Sequence, residues 1–216
     1  MLKTTRTAAT LLAALAATNA LAQTTINGDV TVAPGGTLIV NDNTTYTGTV
    51  TIGAGAQVVV DTGFSMTFAT GASLVVEGTE ADPVMFFPIN GTWEGLNFQA
   101  GASADVDYAA IMDFRVVGIN STGASVSLTG VELFDSLSAP APANATRYAI
   151  IASSSGTLTI DRSIIGPLTG RDGASTSSTG AAGGSGRDIV AIDTNGLDTL
   201  SITSTRFVGV KGGNGG

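Results

Sequence analysis

The second half of the chain repeats itself in register, and this restricts the fold more than any single motif does. Val126-Ser127-Leu128, Leu158-Thr159-Ile160 and Leu200-Ser201-Ile202 each set two apolar side chains around one hydroxyl residue. Seven positions after each opening residue comes another apolar one, Leu133, Ile165 and Phe207. A further apolar run precedes each opening, at 116–119, 148–151 and 189–192. Each unit therefore reads as three short strands in a fixed order, alternating at the strand period of two. The openings lie 32 and 42 residues apart, longer than a bare solenoid coil of roughly 20–25 residues. The excess falls at one place, after the third strand, at 135–147 and 167–187, and a third insertion is expected to begin at Lys211. Insertions stacked on one edge are where such arrays often carry binding surface.

The first half has the same texture. Short β-branched runs at 29–32, 37–40, 49–52, 57–60, 65–68 and 73–76 are separated by turns such as Pro34-Gly35-Gly36 and Gly53-Ala54-Gly55. The last four start at 49, 57, 65 and 73, a constant step of eight. No Asn-Gly type of hairpin signal joins them. Four-residue strands at this step fit the faces of a β-solenoid, in which each strand pairs with the coil above and below. A β-sandwich is the competitor and would carry longer strands. Residues 102–117 lack Gly and Pro. Strict alternation predicts one strand there, with Val106, Tyr108, Ala110, Met112, Phe114 and Val116 on one face and Asp105, Asp107, Asp113 and Arg115 among those opposite.

Composition removes most catalytic chemistry. The 216 residues include no His and no Cys, so imidazole bases, thiol nucleophiles, disulfides and His- or Cys-ligated zinc are all excluded. Hydrophobic residues make up 43% and charged residues 12%, enough apolar surface for a core and too little charge for disorder. The net charge is −8, which disfavours nucleic acid and anionic membranes as partners.

The N-terminus reads as an address. Lys3 and Arg6 precede an apolar run, and Ala20-Leu21-Ala22 matches an A-x-A cleavage pattern, predicting a signal peptide over 1–22 with cleavage after Ala22. That run is too short for a membrane span, and no other transmembrane segment is predicted. Export without cysteine points to a secreted or outer-surface bacterial protein rather than a disulfide-stapled eukaryotic one.

With these features in place, the chain resembles the right-handed parallel β-helix proteins of the pectin-lyase-like superfamily, especially bacterial surface and secreted members. The likeness runs from about 27 to 210. It rests on the Gly-Ala-rich turns and strands of 48–78, on Asp82-Pro83-Val84-Met85-Phe86-Phe87 followed by Trp93-Glu94-Gly95-Leu96-Asn97-Phe98, and on the pair of rungs at 106–114. The resemblance implies an all-β parallel β-helix; it leaves activity open, because the superfamily holds lyases, hydrolases, adhesins and passenger domains. Polygalacturonase-like members need Gly-His-Gly and an Asp-Asp pair, and this chain has neither. Pectate-lyase-like members place calcium carboxylates beside an Arg or Lys base, which Asp105, Asp107, Asp113 and Arg115 could imitate. Outward, solvated acids are the plainer reading of those residues, and no catalytic residue is carried over.

Other constellations are weaker. Gly183, Gly184, Gly186 and Asp188 match a single calcium nonapeptide, whereas that motif works in tandem copies. Thr49/Thr51 and Thr157/Thr159 are Thr-x-Thr pairs of the kind arrayed on ice-binding solenoids, with other coils expected to lack them. Trp93, the single Trp, is assigned to the core or a coil shoulder rather than to sugar stacking. Arg147, Arg171, Arg187 and Lys211 lie in or beside the insertions and are candidate ligand-facing residues, suited to anionic glycans or other cell-surface components.

The resulting reading is a signal peptide over 1–22 and a parallel β-helix over 23–216, the N-terminal part of a longer array whose C-terminal region is missing. Its expected role is a rigid, loop-decorated surface for adhesion or envelope structure, without catalysis or a cofactor. The alternative is a calcium-dependent polysaccharide lyase or hydrolase fragment.

Overall fold

The computed structural model describes residues 23–135, 146–169 and 188–211. The predicted leader lies outside these residues, as do most of both insertions.

Three seven-stranded sheets account for nearly all the described chain, and every strand pair in them is parallel. Sheet A contains Gln23–Ile26, Asn43–Tyr46, Met66–Phe68, Leu96–Phe98, Val117–Thr122, Arg147–Ser153 and Ile189–Asn195. Sheet B contains Val30–Val32, Thr49–Gly53, Ser73–Glu77, Ser103–Asp107, Ser125–Thr129, Thr157–Asp161 and Thr199–Thr203. Sheet C contains Thr37–Val40, Gln57–Val60, Val84–Pro88, Ala109–Met112, Glu132–Phe134, Ile164–Ile165 and Arg206–Phe207. The chain visits A, B and C in turn, and each circuit pairs with the one before. This all-β arrangement is compatible with a parallel β-helix. It contains no helix among the described residues.

The register shows why such short runs suffice. Val126 pairs with Leu158 and Leu158 with Leu200 on sheet B, while Leu133, Ile165 and Phe207 align on sheet C. The repeat read from sequence is thus the register of the sheets. Inward residues form apolar columns that no single strand could bury alone. One column, Val32, Ile52, Val76, Val106, Leu128 and Ile160, is buried throughout. On sheet A, Tyr46, Phe68 and Phe98 stack with ring centroids 5.3 and 4.9 Å apart, close enough for the offset stacking that aromatic pairs favour. Burial pushes the Tyr46 hydroxyl well above its usual pKa.

Most corners turn on a left-handed residue. Between sheets A and B the turn glycines stack, with the Gly101 amide donating to the Gly123 carbonyl at 2.9 Å and the Gly123 amide to Ser153 at 2.7 Å. Both glycines have positive φ, 79° and 66°, a conformation that costs other residues roughly 1–2 kcal/mol. The abundance of Gly follows from this geometry. Between B and C the same position is filled by Tyr108, Gly130, Arg162 and Ser204, with φ of 46°, 64°, 48° and 49°.

That corner corrects the expectation for 102–117. The segment is β, but it is two strands meeting at Tyr108 rather than one alternating strand. The left-handed turn resets the alternation, so Ile111, Asp113 and Phe114 are buried while Met112 stays half-exposed. Just past the third strands, at the start of the expected insertions, the chain keeps one further rung. Leu168–Thr169 pair with Val210–Lys211 in a small fourth sheet before the chain leaves the described residues.

Candidate functional site

The outer face of sheet C carries a groove, and its depth comes from side-chain size. One outward column runs Gln57, Met85, Ala110, Glu132, Ile164 and Arg206. Ala110 is the shortest member, so the surface dips between Met85 and Glu132. Beside it, Met112 aligns with Phe134, and Val59 with Phe87, giving apolar side chains on the solvent side. A cavity of about 460 Å³ results, lined by Met85, Tyr108, Ala110, Gly130, Glu132, Phe134 and Arg162, with Glu80 and Pro83 at one side. A second cavity of about 390 Å³ shares Glu132 and Phe134 and reaches Ile164, Pro167 and Arg206. Together they cross several rungs.

Tyr108 is placed in this groove by Gly130 on the next rung. A Cβ at Gly130 would lie 2.7 Å from Cδ1 of Tyr108 and 2.8 Å from Cε1, closer than van der Waals contact allows. Only glycine there lets the ring rest against the neighbouring corner. The groove thus combines aromatic and aliphatic surface with a few charged groups at its rim, Glu80, Glu132, Arg162 and Arg206. Sites for small or polymeric organic ligands have this composition, apolar area for contact and sparse polar groups for orientation. Arg162 is partly engaged already, donating to Asp161 at 3.0 Å while remaining 58% exposed. Thr203 and Arg162 bonding hold the exposed Asp161 carboxyl below its usual pKa.

Immediately behind Phe134 lies a buried ion pair. Arg147 Nη1 donates to Asp135 Oδ2 at 2.6 Å, with the two side chains 1% and 7% exposed. The other Arg147 amino group donates to the Phe114 carbonyl, and the guanidinium carbon sits 5.1 Å from the Phe114 ring centroid. The Asp135 carboxylate also accepts from the Thr169 amide at 3.3 Å. Burial raises the Asp135 pKa to about 6 despite the opposing pull of Arg147 and the Thr169 bond, with Asp113 adding to the rise. Burial lowers the Arg147 pKa, opposed by Asp135 and Asp113.

This placement corrects the sequence expectation for Arg147. Its position beside an insertion suggested a ligand-facing cation, but the side chain turns inward and is spent on Asp135 and Phe114. The run of apolar residues that follows it was the available signal, since it starts a strand of sheet A. Lys211 is exposed, on the small fourth sheet. Arg171, Arg187, Gly183, Gly184 and Gly186 lie outside the described residues; Asp188 is exposed at the foot of its strand. Asp105 and Asp107 point outward from sheet B, Asp113 is buried, and Arg115 pairs with Glu94. These four are not brought to one face. Among the described residues no three His, Cys, Asp or Glu side chains gather as a metal-binding group. Trp93 is fully buried, its Nε1 donating to the Met112 carbonyl at 2.8 Å, as its assignment to the core required.

Sequence reasoning missed the groove, because its members are separated by whole circuits. It also missed the outer face of sheet B. Thr49, Ser73, Ser103, Ser125, Thr157 and Thr199 form one register column of hydroxyl residues, although the coils between Thr49/Thr51 and Thr157/Thr159 lack the Thr-x-Thr pair, as expected. Ser73 Oγ donates to Thr49 Oγ1 at 3.0 Å, so part of this hydroxyl capacity is used between rungs.

No protein-family model matches this chain, and neither a curated protein nor a solved structure does.

Proposed function

We propose that this chain is an exported right-handed parallel β-helix, of the pectin-lyase-like type, that serves as a non-catalytic surface scaffold and holds an extracellular glycan along the groove of sheet C. The observation that carries the reading is the groove itself: Tyr108, Met85 and Phe134 beside Glu132, Arg162 and Arg206, running across successive rungs. Sugar rings offer apolar faces to aromatic side chains and hydroxyls to charged ones, so this mixture suits them. A groove directed across the rungs suits a polymer more than a single small molecule. The right-handed sense is supported by the general hand of parallel strand crossovers.

The test is binding of the secreted protein to arrays of neutral and uronic acid polysaccharides, alongside an ultraviolet assay for unsaturated products. Binding without turnover, weakened by Tyr108→Ala, is the expected result. Unsaturated product from a uronate polymer would instead establish the alternative, a polysaccharide lyase. Binding unaffected by Tyr108→Ala would remove the ligand from this groove.

A further inference from the structure

Two chain insertions leave the described residues near the same edge, and the residues at their feet are bonded to one another. Asp135 and Arg147 flank the first insertion; Thr169 and Asp188 flank the second. One carboxylate oxygen, Asp135 Oδ2, accepts both from Arg147 Nη1 at 2.6 Å and from the Thr169 amide at 3.3 Å. The Arg147 amide donates to the Asp188 carbonyl at 3.2 Å, and the Asp135 amide to the Pro167 carbonyl at 2.9 Å. Three of the feet, Asp135, Arg147 and Thr169, therefore meet at one buried ion pair, and the fourth, Asp188, is bonded to the Arg147 backbone. Arg147 fixes the pair to the core through the Phe114 carbonyl and ring.

We infer that the Asp135–Arg147 pair is a positioning device that couples the two insertions, so that a disturbance at the root of one loosens the root of the other. Energetics favour placement over simple stabilisation as the use of this pair. Asp135 Oδ1 and Arg147 Nε are buried without a partner, and a buried pair with unfilled bonds repays its desolvation poorly. A hydrophobic pair of similar volume would serve stability as well but could not tie the Thr169 foot of the second insertion to Arg147 at the root of the first. The adjacent buried Asp113 adds a second carboxyl that interacts with both members. The coupling stands whether or not the groove binds a glycan, since it concerns only the roots behind Phe134.

The experiment is amide-resolved hydrogen exchange on the full chain and on Asp135→Asn, which keeps side-chain size and removes the charge. Exchange at both the Thr169 and Arg147 amides is expected to rise by roughly tenfold relative to the corner amides of Gly101 and Gly123. A rise at Thr169 alone, or at neither, overturns the coupling. Arg147→Lys keeps a cation but loses the forked contacts, and it answers the same question if the first variant does not fold. The Thr169 amide, which Arg147 never touches through its side chain, is expected to exchange faster there too; an unchanged rate contradicts the inference.

Discussion

Sheets B and C are built from the same inward pattern and end in different outer faces. Inside, both present unbroken apolar columns in strict register, and the two are interchangeable in kind. Outside, sheet B shows mainly Ser and Thr, with Val75 and Asp105, around a trough of about 200 Å³, whereas sheet C shows Met, Phe and Tyr around a groove of about 460 Å³. The fold needs only the inner alternation, so the outer residues are free to differ. An outward row of half-exposed Phe and Met has no use in stability that Ser and Thr do not fulfil on the neighbouring sheet. That contrast is the physical ground for the proposal that sheet C binds the ligand.

The comparison predicts a wide spread of mutational effects. Phe68 is fully buried between Tyr46 and Phe98, and Phe68→Ala is expected to cost about 3–5 kcal/mol of stability in chemical denaturation. Ser127→Ala on the outside of sheet B should stay within about 0.5 kcal/mol of the parent. Equal losses would mean that the inner and outer faces are not distinct.

Removing one member of the buried pair comes next. Arg147→Met strands the Asp135 carboxylate and is expected to cost about 3 kcal/mol by the same assay. A neutral outcome would place Arg147 in solvent after all.

The pair also sets a pH dependence with a definite sign. The Asp135 carboxyl titrates near 6 in the folded chain against 3.8 for the ordinary group, so between those values the folded state holds a proton that the unfolded state has released. Its contribution to stability is therefore complete below about pH 4 and is lost as pH rises through 6. Measured against Asp135→Asn, which lacks the group, the wild-type chain should lose on the order of 2 kcal/mol more between pH 4 and pH 7. A parallel pair of stability curves would exclude the raised pKa.

The change in the groove is expected to cost less stability than those in the core or the buried pair. Gly130→Ala places a methyl where the Tyr108 ring rests and puts alanine at positive φ, at a cost of about 1 kcal/mol. Its larger effect should be on glycan binding, because the ring must move. Unchanged affinity in this variant would show that Tyr108 has no part in the site.

Much of the fold was legible because its determinants are local or repeat at fixed offsets. The runs at 37–40 and 57–60 coincide with strands, and Leu133, Ile165 and Phe207 align as their common spacing implied. Strands rich in polar residues were not legible: Asn43–Tyr46 and Gln23–Ile26 owe their pairing to the neighbouring rung rather than to their own pattern. Tyr108 hid the break in 102–117, since a left-handed tyrosine carries no sequence mark. For the site, the acids of sheet B and Trp93 fell where alternation and size placed them. Arg147 did not, because proximity to a loop says nothing about whether a carboxylate waits inside. The groove depends on which residues share a register column, and that required the pairing itself.

Oxidative footprinting of the protein with and without a bound glycan tests the central claim most directly. The reactive side chains Met85, Met112, Tyr108 and Phe134 lie on or beside the groove of sheet C, and they are expected to be protected together on binding. The half-exposed Phe64 and Tyr148 lie outside the groove and should keep their free-state rates. Protection at those two with the sheet C residues unchanged would contradict the account.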